Sequence, residues 1–468
     1  MQTPISSNLQ MSNTRLPDFN MGEKMFGVLA IKVANKPMSS TLRVLDSVTD
    51  NSGSMGDICA DGKSKMDHAK HVLKNVINTV ALLFATVSIA SYSFDDKTDE
   101  IFSDTTISSE NANDVCVKLN KIQPRNGTNL HQTLVCLKQR IESRDPGFKQ
   151  TAIILTDGLI NAGITDYGAI RSQLSDKCNN IFIGLGGDHD DKLLQRLASE
   201  QLGNNYFYIQ EIEKAGFAFG EILHELLYTA ISNVTIKVIN GEIYNYATNK
   251  WGSELNVHAL TSDAVKTYHL RCVSSDINEI SVSIHGCIGD EEPSMIEDDI
   301  TPIPDLMLNN DTIVINNLAI HVMRQKVLEL LFDAHEYSMN NTANQNAVNT
   351  IRANISNLLA RIKKYINDND LKTDESYIML CDDLTITLNT LHHAKAAMYS
   401  GSRRTSQGRQ MAYNISHIDP SHLEAGCQQF TSNTQQLFSR YTSTGQAAIM
   451  RECSQDKPEI STINMFRT

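Results

Sequence analysis

The sequence lacks the segments and pairings by which secreted and membrane proteins are often recognised. No apolar run approaches the roughly 20 residues that a helix needs to cross a bilayer. The nine cysteines are scattered without any Cys-x-x-Cys pair, so neither a disulfide framework nor a zinc finger is indicated. The first residues lack a basic start followed by an apolar core, so we expect no secretory signal and an intracellular, cytoplasmic protein.

Motifs for nucleotide binding and for nucleophilic catalysis are also missing. We find no Gly-x-Gly-x-x-Gly and no Gly-x-x-x-x-Gly-Lys-Ser/Thr. No arrangement of Ser, His and Asp or of Cys and His predicts a nucleophile with its base. The formal net charge of −13 argues against a general nucleic-acid binder. We therefore expect neither an enzyme nor a nucleic-acid-binding protein.

What is present is the composition of a globular protein with several domains. Of the 468 residues, 41% are hydrophobic and 20% are charged, which is typical of folded rather than disordered chains. A chain of this length predicts two or three domains, because single cores stop growing at smaller sizes. Strand-like and helix-like segments alternate over residues 41–231, which predicts an α/β fold with a doubly wound, mostly parallel sheet.

The most informative segment is Asp50-Asn51-Ser52-Gly53-Ser54, which follows an extended segment and precedes an amphipathic one. It places one carboxylate and two hydroxyls two residues apart in a tight turn. If the extended segment is a parallel strand, these oxygens lie at the carboxyl edge of the sheet, where open α/β sheets bind ligands. Hard oxygen ligands of this kind suit small divalent cations such as Mg²⁺.

Two later turns extend the pattern. Thr128 lies in an Asn-Gly-Thr-Asn turn, and Asp157 follows an apolar strand-like segment in the tripeptide Thr-Asp-Gly. A single Asp-x-Ser-x-Ser is a weak signal because small polar residues are common in turns, whereas three loops in this order are more specific. Each residue also has a purely structural interpretation. Asp50 could cap a turn, Thr128 could be a turn hydroxyl, and Asp157 could cap the end of a strand.

Taken in order, the three loops resemble the metal-ion-dependent adhesion site of von Willebrand factor type A domains, over about residues 40–230. The resemblance implies that Mg²⁺ or Mn²⁺ binds there and that an acidic side chain of a protein partner completes its coordination. It also implies a binding or scaffold module without catalytic residues. The implied ligands are two carboxylates and three hydroxyls: Asp50, Asp157, Ser52, Ser54 and Thr128.

Outside the α/β segment the hydrophobic pattern changes several times. Alternating hydrophobicity predicts a small β-sandwich-like domain, and three apolar stripes with helical spacing then predict a helical C-terminal bundle. The last segment is rich in Ser, Gln and Arg, which is typical of a flexible tail. The predicted organisation is an arm (1–25), a strand that could join the β-domain (26–40), a type A domain (41–231), a β-sandwich-like domain (232–320), a bundle (321–399) and a tail (400–468).

This order of segments is similar to that of intracellular type A proteins of plants, protists and large DNA viruses. The plant members carry a RING finger and act as ubiquitin ligases. Here the segment before the site has no cysteine, so ligase activity is not implied. Two alternatives to a binding module remain open. The chain could be an accessory subunit of an ATPase or ubiquitin-ligase-type complex, or a structural component of a virus particle, which would place it in the virion.

One feature departs from the pattern of the resemblance. A central parallel strand is normally a nearly continuous apolar run. Here Asp46, Ser47 and Thr49 interrupt the segment that leads to the site. We therefore expect either a partly exposed strand or a distorted register beside the site.

Overall fold

The computed structural model of the protein describes residues 4–11, 24–38, 42–59, 61–83, 85–125, 127–273, 278–289, 292–303, 318–340, 344–413 and 438–454. The chain forms two compact units, each made of two separate chain segments. The α/β unit comprises Pro37–Thr229 and Thr444–Thr468. The two-sheet unit comprises Met1–Lys36 and Ala230–Ser443.

Strands and helices are numbered here in chain order. The strands are β1 (Ile5–Met11), β2 (Lys24–Val33), β3 (Arg43–Asp50), β4 (Val87–Phe94), β5 (Thr98–Thr106), β6 (Lys149–Thr156), β7 (Cys178–Leu185), β8 (Asn205–Ile209), β9 (Thr229–Ile239), β10 (Glu242–Asn245), β11 (Lys250–Gly252), β12 (Glu254–Thr261), β13 (Val265–Val273), β14 (Ser281–Ile288) and β15 (Ser294–Ile300). The helices are α1 (Lys65–Leu82), α2 (Ala112–Lys118), α3 (Leu130–Ser143), α4 (Tyr167–Arg171), α5 (Asp191–Ala198), α6 (Ala215–Tyr228), α7 (Leu318–Met339), α8 (Gln345–Asp368), α9 (Glu375–Thr390), α10 (Ala396–Arg409) and α11 (Thr444–Ser454). Among the described helices, none combines the length and the apolar character that crossing a membrane requires.

The α/β unit is built around a six-stranded sheet with the order β5-β4-β3-β6-β7-β8. Neighbouring strands pair in parallel, except that β5 runs antiparallel to β4. The predicted mostly parallel sheet is thereby confirmed. Because β3 and β6 are parallel neighbours, their carboxyl ends meet at one edge of the sheet.

The sequence does not predict the edge strand β5. Most of its side chains are exposed or half-buried, and only Phe102 is buried. An edge strand of this kind has no regular hydrophobic alternation, which is the signal that strand prediction needs.

The central strand β3 is buried along its whole length although it carries polar residues. It pairs with β4 and β6 in an unbroken register, so the expectation of a partly exposed or distorted strand is wrong. Asp46 is paired with Arg144, whose two terminal nitrogens each donate to a carboxylate oxygen at 2.6 Å. The two side chains are only 0% and 4% exposed. A bidentate pair of this kind satisfies a buried carboxylate, so the polar strand can lie in the middle of the sheet.

The two-sheet unit contains a five-stranded sheet (β1-β2-β13-β10-β11) and a four-stranded sheet (β12-β9-β14-β15). Residues of both sheets share one hydrophobic core, which includes Leu29 of β2 and Ile236 of β9. On the opposite face of β2, Val28 packs in a second core with helical residues such as Met323 and Ile362. Because successive side chains of a strand point to opposite faces, β2 contributes to both cores.

The N-terminal arm expected at 1–25 differs from the structure. Residues 5–11 form β1, which pairs with β2 from Ile5 opposite Val33 to Met11 opposite Gly27. The strand escapes sequence-based prediction because its polar residues resemble a loose arm, whereas Leu9 and Met11 are buried in the core. The segment 12–23 lies outside the described residues.

The flexible tail expected at 400–468 also differs from the structure, although 414–437 and 455–468 lie outside the described residues. In α10, Arg403 is fully buried and donates to the carbonyl oxygen of Tyr399 at 2.9 Å. Its Nε lies 3.5 Å from the carboxylate of Asp383, to which Gln407 donates at 2.8 Å. The polar residues that indicate a solvated tail therefore have buried polar partners.

The second helix of this region, α11, belongs to the α/β unit and packs closely on α6. A Cβ atom at Gly220 would lie 2.5 Å from the Cα of Met450, and one at Gly216 would lie 2.5 Å from the carbonyl oxygen of Cys453. Asn75 of α1 donates to that same carbonyl oxygen at 3.1 Å. Only glycine permits this approach on α6, so α11 is part of the core of the unit.

We predict that Arg144→Met destabilises the α/β unit, because the carboxylate of Asp46 would stay buried without its cation. Removing one partner of a buried pair costs about 3–5 kcal/mol. Urea unfolding should show a lower midpoint, and much of the loss should be recovered in the double variant Arg144→Met with Asp46→Leu. Arg140→Met is the control, because this partly exposed arginine lies 3.6 Å from Asp104. If Arg144→Met and Arg140→Met lowered the urea midpoint equally, the stabilising role of the Asp46–Arg144 pair would be contradicted.

We predict that Gly220→Ala loosens α11. Helix propensity alone would make this substitution favourable by about 0.5–1 kcal/mol, whereas the contact with Met450 makes it unfavourable. Trypsin should therefore cleave after Arg451, an exposed residue of α11, faster than in the wild type. Gly187→Ala is the control, because no atom lies within 4 Å of the added methyl group there. Unchanged or slower cleavage in Gly220→Ala would argue against the close packing.

Candidate functional site

The three predicted loops meet at the carboxyl edge of the sheet in the α/β unit. Asp50 is the last residue of β3, Asp157 directly follows β6, and Thr128 lies just before α3. All three are at most 2% exposed. Ser52 is also buried, and Ser54 is half-buried. The structure therefore places the five predicted residues at one edge, and their contacts show how they are held.

Two hydrogen bonds hold the buried carboxylate of Asp50. The backbone N–H of Ser52 donates to Oδ1 at 2.8 Å, and the hydroxyl of Thr156 donates to Oδ2 at 2.5 Å. Thr156 ends β6, so the second bond joins the ends of two neighbouring strands. Sequence reasoning missed Thr156, because its pairing with Asp50 depends on the strand order.

A short chain of hydroxyls connects the first loop to the third. The Oγ atoms of Ser52 and Ser54 lie 3.1 Å apart, and Ser54 donates to Oδ1 of Asp157 at 2.7 Å. Ser54 belongs to a 3₁₀ turn, Gly53–Gly56, in which Met55 is buried. The buried methionine anchors the turn, so the serine hydroxyls are held between the two carboxylates.

Thr128, in the second loop, lies close to the hydroxyl of Ser54. Its backbone N–H donates to Oδ1 of Asn161 at 2.9 Å, which fixes it to the segment that follows β6. A Cβ atom at Gly158 would lie 3.6 Å from Oγ1 of Thr128 and 3.8 Å from Oγ of Ser54. Both hydroxyls therefore flank one glycine. Asn161 is a supporting residue that the sequence pattern does not identify.

The segment that precedes Thr128 is tied to the end of β3. The backbone N–H of Arg125 donates to the carbonyl oxygen of Asn51 at 2.6 Å. The guanidinium of Arg125 pairs with Asp95 at 2.8 Å, and the carbonyl oxygen of Asp95 accepts from the backbone N–H of Asn129 at 2.8 Å. These contacts lie on both sides of residue 126, which is outside the described residues, and they position the loop of Thr128.

Lys65, the first residue of α1, supplies a cation to the site. Its Nζ donates to Oδ2 of Asp157 at 2.7 Å and lies 3.4 Å from Oδ2 of Asp57. Burial by itself would lower the pKa of Lys65, but the hydrogen bond and charge of Asp157 raise it above the ordinary value. Lys65 is therefore a stable ammonium beside a fully buried carboxylate. Its role is missed at the sequence level because a lysine at a helix start indicates no particular partner.

The carboxyl group of Asp50 is costly to ionise without a nearby cation. Burial raises its pKa from 3.8 to about 6, against hydrogen bonds from Thr156 and Ser52 that lower it, while the charge of Asp157 raises it further. A bound divalent cation would favour the carboxylate and so reverse this shift.

The set of donors fits a small, hard divalent cation. It consists of oxygen atoms from two carboxylates and three hydroxyls, the chemistry that Mg²⁺ and Mn²⁺ prefer. The ammonium of Lys65 against Asp157 shows that one of the carboxylates is already stabilised by positive charge. The residues that could hold the ion are Asp50, Ser52, Ser54, Thr128 and Asp157.

We predict that Asp50→Asn stabilises the protein in the presence of a chelator. At pH 7 the wild type must bury an ionised group whose folded pKa is about 6 instead of 3.8, a cost on the order of 2–3 kcal/mol. The amide removes that charge and can still hydrogen-bond to Ser52 and Thr156. The difference in melting temperature should be largest at pH 7 and should shrink as the pH falls from 6 towards 4, because the wild-type carboxyl then protonates. A difference that grows on acidification would contradict this account.

Comparison with known proteins finds a family model that matches part of the chain and solved structures with a similar fold. Residues 47–221 match the model of the von Willebrand factor type A domain. The chain resembles the solved structure of "von Willebrand factor type A from Catenulispora acidiphila" with a TM-score of 0.52 and 12% identity, over 86% of this chain and 96% of that chain. It also resembles "the ArnB paralog VWA2 from Sulfolobus acidocaldarius" with a TM-score of 0.50 and 14% identity, over 87% and 99%.

No curated protein matches the chain. At these identities the likeness to the two solved structures concerns the fold alone, and it covers more of the chain than the 47–221 segment does. The α/β unit therefore has the fold of a von Willebrand factor type A domain, and its segment 47–221 matches the model of that family.

Proposed function

We propose that the protein is a metal-dependent protein-binding module. Mg²⁺ or Mn²⁺ binds at the carboxyl edge of the sheet, and an acidic side chain of a partner protein completes its coordination. The observation that carries this proposal is the cluster of two buried carboxylates and three hydroxyls, drawn from three separate loops. The ligands in this proposal are Asp50, Ser52, Ser54, Thr128 and Asp157.

The number and charge of these groups support a role for the partner. An octahedral cation has one more position than five protein ligands can fill, and Mg²⁺ keeps a water wherever the protein offers no oxygen. An anionic oxygen from a partner can replace that water and gains from the remaining attraction of the cation. The half-buried Ser54 gives the cluster an opening towards solvent.

The same donor set supports binding rather than catalysis. It contains no thiol and no imidazole, so nothing in it combines a nucleophile with a neutral nitrogen base. We therefore propose that the module has no enzymatic activity of its own and acts inside the cell by holding an acidic segment of another protein.

Lys65 affects the metal affinity that the proposal predicts. Its ammonium hydrogen-bonds to Asp157 at 2.7 Å, so a metal ion must compete with it for that carboxylate. The proposal therefore expects Lys65 to weaken metal binding, while each of the five ligands strengthens it.

We predict that isothermal titration with Mg²⁺ gives one site, which Asp157→Ala abolishes. Lys65→Met should bind Mg²⁺ several-fold more tightly, because about 1 kcal/mol of lost competition already changes the affinity about fivefold. Asp188→Asn is the matched control, since Asp188 is an exposed carboxylate in another loop of the α/β unit. Retained binding in Asp157→Ala, or weaker binding in Lys65→Met, would contradict the proposed site.

Proximity labelling in cells then tests the partner. The wild type should label a protein that Asp157→Ala does not label and Asp188→Asn does. Recapture of that protein in vitro should be lost with a chelator and restored by Mg²⁺. Labelling that is independent of both the metal and Asp157 would point to a different binding surface.

A further inference from the structure

A second cluster of metal-ligating side chains lies in the α/β unit, apart from the five oxygen-bearing residues. It combines Cys59, His68 and Glu213, whose Sγ, ring nitrogen and carboxylate oxygen all lie within 4.8 Å of one another. Cys59 belongs to the loop before α1, His68 to α1 itself, and Glu213 to the 3₁₀ turn Ile212–Lys214 before α6. Three chain segments thus direct a thiol, an imidazole and a carboxyl group to one point.

A second carboxylate faces the same imidazole. Nε2 of His68 lies 3.1 Å from Oδ1 of Asp61 and 3.9 Å from Oε1 of Glu213. His68 is only 6% exposed, so this nitrogen is directed at two carboxylates from a nearly buried position. Asp61 is therefore a hydrogen-bond partner that can orient the imidazole of His68.

Backbone hydrogen bonds hold the residues on both sides of residue 60, which itself lies outside the described residues. The backbone N–H of Cys59 donates to the carbonyl oxygen of Lys63 at 2.8 Å, and that of Gly62 donates back to Cys59 at 3.0 Å. At its end, Ser64 caps α1 and accepts from the backbone N–H of Asp67 at 3.1 Å. The backbone of Cys59 is thus held on both its N–H and its carbonyl side.

We propose that Cys59, His68 and Glu213 form a tetrahedral site for Zn²⁺ or a cation of similar chemistry, with a water molecule as the fourth ligand. Zn²⁺ is commonly bound by thiolate, imidazole and carboxylate in four-coordinate geometry, whereas Mg²⁺ requires oxygen ligands. The thiol loses its proton to solvent when the metal–sulfur bond forms. The site is independent of the proposed Mg²⁺ site, because the two share no residue and differ in ligand chemistry.

Such a site would link three parts of the α/β unit. It would connect Cys59, in the segment before α1, to α1 itself and to the turn that leads into α6. Cys59 lies three residues after the 3₁₀ turn Gly53–Gly56, which carries Ser54, so the linked segment borders the cluster of Asp50, Ser52, Ser54, Thr128 and Asp157. Bound Zn²⁺ would therefore act as a structural cross-link at the rim of the candidate binding edge.

Cobalt substitution tests the proposal on the full chain. Co²⁺ added to the metal-free protein should show the thiolate-to-cobalt charge-transfer band together with the intense visible bands of tetrahedral Co²⁺, and with excess Mg²⁺ on the oxygen site these bands should saturate at one equivalent per chain. Cys59→Ser should abolish the charge-transfer band. Cys136→Ser is the matched control, because Cys136 on α3 is likewise only partly exposed and should keep the band unchanged.

A second variant separates ligand loss from misfolding. Glu213 is exposed, so Glu213→Gln should fold normally. It should weaken Zn²⁺ binding at least about 10- to 100-fold, since even outer-shell partners of a metal contribute that much. Asp157→Ala should leave the cobalt spectrum intact, which distinguishes this site from the Mg²⁺ site. An unaltered charge-transfer band in Cys59→Ser, or undiminished Zn²⁺ affinity in folded Glu213→Gln, would overturn the proposal.

Discussion

The buried pairing of Asp46 with Arg144 allows a polar strand to occupy the middle of the parallel sheet. The carboxylate of Asp46 is 0% exposed and accepts two charge-assisted hydrogen bonds from Arg144 at 2.6 Å. Without these bonds the buried charge would destabilise β3 at the centre of the sheet. With them, β3 keeps a regular register with β4 and β6. Everything at the carboxyl edge depends on that register, because it sets the ends of β3 and β6 side by side and lets Thr156 donate to Asp50.

In the candidate site, too, a buried carboxylate is stabilised by a neighbouring positive charge. Asp157 is balanced by the ammonium of Lys65, while Asp50 accepts from neutral donors, Ser52 and Thr156, among the described residues and has a raised pKa. Two neighbouring carboxylates in one buried cluster thus differ in how they are stabilised. In the proposed function, the cation takes over the role of Lys65 at Asp157 and supplies Asp50 with the positive charge that it lacks.

The limits of sequence reasoning are visible at particular residues. Asp50, Ser52 and Ser54 could be predicted to lie together because the turn that carries them is local, and the carboxyl edge of a parallel sheet explains why Asp157 joins them. Thr156, Lys65 and Arg144 could not be assigned, because each acts through a residue far away in the sequence. The polar edge strand β5 has no regular alternation. From the sequence, Arg403 resembles a residue of a solvated tail. Its burial depends on the polar partners Tyr399 and Asp383, and such pairings produce no hydrophobic periodicity in the sequence.

The packing of α11 against Gly216 and Gly220 has a consequence for biosynthesis. The α/β unit consists of Pro37–Thr229 and Thr444–Thr468, so more than two hundred residues separate the helix from the surface that it covers. At about 5–20 residues per second, a ribosome needs on the order of 10–40 s to translate that interval. During this time α6 lacks the partner helix that covers its glycines in the finished protein. The nascent chain therefore carries an uncovered helix surface that chaperones can recognise until translation delivers α11.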